Sequence, residues 1–199
     1  MFIFEEQKIA FVFPPRTGST TAVEFLASSK LKFVQHSYRH VLPEDAFSTY
    51  PHLKAFKVYG FFRHPAEVFT SVLLSQNPSH LSVSKISNLV EKNVKDGYFE
   101  FMEVYFKRNK DLIFNDMTMC QHKYYRHFGV IPLDFRNFES ELRRVTSNLD
   151  LNAVKIGLLN VTENDKKARF ADWLTPFVAK EYPDDFALWQ EKFEQRVAA

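Results

Sequence analysis

Residues 13–21 read Phe13-Pro14-Pro15-Arg16-Thr17-Gly18-Ser19-Thr20-Thr21, and their flanks set the architecture of the chain. Before them, Ile9 to Phe13 is a short apolar run of the kind that is buried on both faces of a parallel sheet. After them, Ala22, Val23 and Leu26 recur at helical spacing, with Ser and Thr where a helix N-cap belongs. The order is strand, tight loop, helix. Backbone amides at such a junction lack intrahelical partners and the helix dipole favours negative charge, so a phosphate is the natural occupant. Arg16 adds a fixed positive charge.

The same unit occurs again. Ala55 to Phe62 reads as a second strand, broken off by Arg63-His64-Pro65, where proline suits the first turn of a helix running to about Ser75. Val83, Ile86, Leu89 and Val90 form one helical stripe that can end at Gly97, and Tyr98 to Arg108 supplies another helix. Leu133 to Arg136 is a further short strand candidate, followed by a helix from about Glu139 to Leu149. Thr175-Pro176 forms a cap-and-first-turn signal before a charged, amphipathic helical end. The alternation predicts an α/β fold, with a mainly parallel sheet flanked by helices and a helical C-terminal half, as a single domain over residues 1–199.

Composition narrows the function. Apolar residues at 45% and charged residues at 25% belong to a folded chain, and the 22 phenylalanines predict an aromatic-rich core. A formal charge of +2 is too mild for wholesale binding to nucleic acid or a membrane, so any anion site must be local. Cys120 is the only cysteine, which excludes an internal disulfide and a cysteine zinc cluster and fits a reducing cytoplasm. The N-terminus has no basic leader with a long apolar stretch, and nothing approaches the ~18 apolar residues of a membrane span. A cytoplasmic protein is expected.

A Walker loop needs G-x-x-x-x-G-K-[ST]. Residues 13–21 lack its first Gly and its Lys, and no obvious apolar strand ends in an Asp to hold magnesium. The run Pro15-Arg16-Thr17-Gly18-Ser19-Thr20 instead resembles the 5′-phosphosulfate loop of the P-loop sulfotransferase superfamily, P-[KR]-[ST]-G-[ST]-[ST] after the first strand. The family's second signature, a strand ending in R-x-P with a Ser eight positions after the Arg, is matched by Phe61-Phe62-Arg63-His64-Pro65 and Ser71. Weaker likenesses are Phe135-Arg136-Asn137-Phe138-Glu139, Leu159-Asn160-Val161-Thr162 and Tyr182 to Trp189, which bear on the fold more than on roles for Glu139 or Asn160.

The resemblance implies transfer of a sulfuryl group from 3′-phosphoadenosine 5′-phosphosulfate (PAPS) to an acceptor hydroxyl or amine, releasing adenosine 3′,5′-bisphosphate (PAP), with no metal required. Arg16 and the amides of Thr17, Gly18, Ser19 and Thr20 would cradle the 5′-phosphate, with Arg16 catalytic at the bridging oxygen. Many members carry Lys at the Arg16 position; a guanidinium stays charged and can hold two oxygens. Arg63 and Ser71 would bind the 3′-phosphate. For the general base, His36 is the first choice, after the apolar piece Phe33-Val34 and between the two motifs, with His40 next and Glu44 after it. The acceptor, a carbohydrate, small molecule or peptide, is left open, as is the oligomeric state. Two other classes stay in view: a noncatalytic PAP- or nucleotide-binding protein of the same fold, and a small-molecule kinase.

Overall fold

The structure, a computed structural model, describes residues 1–36, 40–73, 121–126, 129–151, 155–156 and 165–194. The helices expected around Val83 to Gly97 and Tyr98 to Arg108, Cys120, and the segment around Asn160 lie outside the described residues. The chain forms two compact units. The first comprises Met1–Arg63, Cys120–Val161 and Leu188–Ala199; the second comprises His64–Met119 and Thr162–Ala187.

The first unit is built on a five-stranded sheet: β1 (Phe2–Phe4), β2 (Ile9–Val12), β3 (Val34–Gln35), β4 (Lys57–Phe62) and β5 (Ile131–Asp134), in the spatial order β3-β1-β2-β4-β5. The fold is α/β, and the sheet is mixed. Strands β2, β4 and β5 run parallel, as their alternation with helices predicts, with Val12 beside Gly60 and Phe62 beside Asp134. On the other side, β1 is antiparallel to β2 and β3 is antiparallel to β1. The sheet is mixed rather than mainly parallel because Phe2–Phe4, three apolar residues without a periodic signal, joins it as an antiparallel strand. The β1–β2 hairpin turns through Glu5 to Lys8, where the Lys8 amide donates to the Glu5 carbonyl at 3.2 Å and Lys8 takes φ 51°, without the Gly or Asn that usually signals such a turn.

Successive strand residues point to opposite faces, and the aromatic-rich sequence fills both. One face carries Phe2, Phe4, Phe11, Phe13, Phe61 and Leu133, covered by Phe25 and Leu26 of α1 (Ser19–Ala27) and by Phe138, Leu142 and Val145 of α5 (Phe138–Val145). The other carries Ile3, Ala10, Val12, Val58 and Phe62. Against it pack Ala46 and Phe47 of α2 (Pro43–Thr49), Tyr124 and Tyr125 of α4 (His122–Tyr125), and Trp189 and Phe193. Burying a Phe contributes roughly 1.5–3 kcal/mol, so this two-sided aromatic core is what holds the carboxyl ends of β2 and β4 in place.

In the second unit, α3 (Pro65–Leu73) packs on α6 (Asp165–Glu181), with Phe69 against Tyr182 at 4.8 Å between ring centres. Thr175-Pro176 is not a helix start, because α6 runs through Pro176. Pro176 brings no amide to the helix ladder, and the neighbouring Thr175 hydroxyl donates to the Ala171 carbonyl at 2.9 Å. The proline that does open a helix is Pro183, at the start of α7 (Pro183–Trp189). Among the described residues, no helix is long and apolar enough to cross a membrane.

Candidate functional site

The loop between β2 and α1 spans Phe13 to Gly18, at the carboxyl end of the parallel strands where open α/β sheets bind ligands. Two residues in it take left-handed backbone conformations, Arg16 at φ 62° and Gly18 at φ 75°. Gly18 is needed there for a second reason. A Cβ on it would lie 2.7 Å from Cε2 of Phe138 and 3.0 Å from Cε2 of Phe135. The loop is also tied internally, since the buried Thr17 hydroxyl donates to the Pro14 carbonyl at 2.7 Å. That leaves Thr17 its backbone, rather than its hydroxyl, to offer a ligand.

Helix α1 starts at Ser19 with Gly18 as N-cap; no side chain caps it and no acidic residue stands in its first turn. First-turn amides have no intrahelical acceptor, and the dipole adds positive potential at this end. Ser19 is buried and Thr20 half-buried at the same turn.

Two cations converge on the loop. Arg63, one residue beyond β4, donates through Nη1 to the Arg16 carbonyl at 3.4 Å, and its Cζ lies 4.7 Å from the centre of the Phe135 ring. The Arg16 guanidinium is held below its ordinary pKa, first by burial and then by the nearby charge of Arg63. Two like charges brought this close cost free energy in the absence of an anion.

The two candidate histidines differ in their attachment. His36 closes β3, its amide donating to the Met1 carbonyl at 3.0 Å and its ring 6.2 Å from that of Tyr50. His40 is bonded to the loop itself: its Nδ1 lies 2.8 Å from the carbonyl of Phe13, and its own carbonyl accepts from the Tyr124 hydroxyl at 2.9 Å. A carbonyl cannot donate, so Nδ1 must carry the proton in that bond, and in the neutral ring Nε2 is then the nitrogen with the lone pair. Glu44 lies in the first turn of α2. Ser71 lies on α3 and belongs to the second unit, so the site built from first-unit residues is Arg16 to Thr20, Arg63 and His40.

Three side chains outside the two motifs complete these surroundings. Gln121, which is 58 residues from Arg63 in the chain, bonds its backbone; Phe135 underlies its guanidinium; and Phe138 closes on Gly18. Glu139 is committed to an ion pair with Arg143 one turn on. The expectation that no apolar strand ends in an aspartate is overturned by β5, which ends in Asp134. Its carboxylate accepts from the amide, Nε and Nη2 of Arg136, at 2.7 to 3.1 Å. Among the described residues, no group of three or more His, Cys, Asp or Glu could hold a metal ion.

Compared with protein-family models, with characterised proteins and with solved structures, the chain finds no match.

Proposed function

We propose that this protein is a PAPS-dependent sulfotransferase, and that the β2–loop–α1 unit is a P-loop of the 5′-phosphosulfate type. The observation that carries the reading is the approach of two arginines, Arg16 and Arg63, to one strand-loop-helix turn whose helix end has neither a side-chain cap nor an acid. Such an arrangement suits a ligand with more than one phosphate. Asp134, the carboxylate at a strand end that a kinase could turn to magnesium, is committed to Arg136, which favours a donor that needs no metal. A cytoplasmic setting is part of the same proposal.

In the reaction, the acceptor oxygen attacks sulfur as the bond between sulfur and the bridging oxygen of the 5′-phosphate breaks. The electron pair leaves on that oxygen, PAP departs, and the acceptor proton passes to a base. Arg16 and the first-turn amides of α1 stabilise the charge growing on the bridging oxygen, the kind of preorganised electrostatic help that dominates many active sites. Arg63 receives the 3′-phosphate. His40 replaces His36 as the preferred base, because its bond to Phe13 ties it to the loop and makes Nε2 the basic nitrogen of the neutral ring. Sulfur-labelled PAPS, incubated with the protein and a panel of sugars, phenols and peptides, tests the activity. Label should move to one acceptor class with release of PAP. Tight PAP binding without transfer to any acceptor or to water would make the protein a noncatalytic binder.

A further inference from the structure

Gln121 is only 1% exposed, and the chemistry above gives it no task. Its side-chain amide pairs with both backbone groups of Arg63: Nε2 donates to the Arg63 carbonyl at 2.7 Å, and Oε1 accepts from the Arg63 amide at 2.9 Å. The side chain thus serves as a one-residue strand neighbour at the point where the ladder fails. The β2–β4 ladder ends at Val12 and Gly60, and Arg63 lies one residue beyond the last residue of β4. The segment carrying Gln121 is itself fixed to the sheet. The Tyr125 hydroxyl lies where a Cβ on Gly60 would meet it at 3.0 Å, the Tyr125 ring is 5.0 Å from that of Phe62, and the Tyr124 hydroxyl holds the His40 carbonyl. One short segment therefore reaches both Arg63 and His40.

We infer that Gln121 is a positioning residue for Arg63: it fixes the backbone at the end of β4 so that the guanidinium stands over Phe135 and against the phosphate loop. This role rests on the reading of Arg63 as a phosphate ligand. Because the bonds go to the Arg63 backbone, they survive in Arg63→Ala, and this separates positioning from folding. Calorimetry with PAP and AMP, together with urea unfolding, would be run on the parent, Gln121→Leu, Arg63→Ala and the double variant. Gln121→Leu should lose roughly tenfold in PAP affinity, within the usual coupling of contacting residues, and little in AMP affinity. In the Arg63→Ala background the same change should lower stability again without further loss of PAP affinity. The role is overturned if Gln121→Leu binds PAP like the parent, or if PAP affinity drops equally in both backgrounds, as general loosening would require. Should Gln121→Leu fail to fold, Gln121→Glu, which keeps the acceptor for the Arg63 amide and loses the donor to its carbonyl, is judged by the same criteria. Equal affinity of the parent for PAP and AMP would remove the reading of Arg63 and, with it, this role.

Discussion

Replacing Gly18 by alanine puts the geometry of the β2–α1 loop under direct strain. At φ 75° an L-residue costs about 1–2 kcal/mol. The new Cβ would also stand 2.7 Å from Phe138 and 3.0 Å from Phe135, well inside normal contact. Phe138 cannot simply withdraw, because it stacks on Phe61 at 4.3 Å and meets Phe135 edge-on at 5.7 Å. Overpacking of this kind adds about 1–3 kcal/mol. The sum, about 2–5 kcal/mol, is a large part of the roughly 5–15 kcal/mol that holds a typical domain together. Gly129 supplies the control, since it has φ 63° and nothing within 4 Å of an added Cβ. Gly129→Ala should therefore cost only the backbone term, about 1–2 kcal/mol. Urea unfolding of the two variants and the parent measures the difference, which is the clash with the two phenylalanines. If Gly18→Ala is no more destabilising than Gly129→Ala, the packing of α5 against the loop is not as described.

Arg16→Gln should raise the stability of the unliganded protein or leave it unchanged, since it removes a half-buried charge beside Arg63, and it should shrink the stabilisation given by PAP, which at a hundredfold excess over Kd is about 2.7 kcal/mol for a one-site ligand; thermal melts with and without PAP decide this, and a destabilised apo protein with an intact PAP shift would contradict it. Because the Arg16 pKa is lowered in the fold, its cost is present at every pH below that lowered value and lifts only at strongly alkaline pH, so between about pH 5 and 9 melts should show no Arg16-linked trend. His40→Ala should slow transfer to a hydroxyl acceptor by roughly 10²–10⁴ with PAP affinity nearly unchanged, whereas His36→Ala should do so only if the base lies at the end of β3. The parent rate should fall on acidification, since only neutral imidazole accepts the proton, and an acid limb that persists in His40→Ala would move the base elsewhere.

The parts of the fold that were legible in the sequence are those with a local signature. Ile9 to Val12, the loop, and the helix from Ser19 announce themselves by the change from an apolar run to helical spacing, and β4 with Pro65 does the same. What was not legible is set by distant partners. Phe2–Phe4 is a strand because β2 and β3 flank it, and three apolar residues at a chain start carry no period of their own. Pro176 looks like a helix start, yet it lies inside α6 beside a threonine that bonds one turn back. In the site, Arg16, Gly18 and Arg63 could be named from motifs, whereas His40 rises above His36 only through its bond to Phe13. Gln121 meets Arg63 across 58 residues of chain, a pairing that no local pattern marks.

The most direct test is the affinity of the protein for PAP against AMP, which differ only in the 3′-phosphate. Each added charge-assisted hydrogen bond contributes roughly 1.5–3 kcal/mol, so two such contacts to the extra phosphate amount to a preference on the order of a hundredfold or more. Titration calorimetry on the parent and on Arg63→Ala gives the answer. A strong PAP preference is expected in the parent and should be largely lost in Arg63→Ala, while equal binding of PAP and AMP by the parent would contradict the reading of Arg63 as a phosphate ligand.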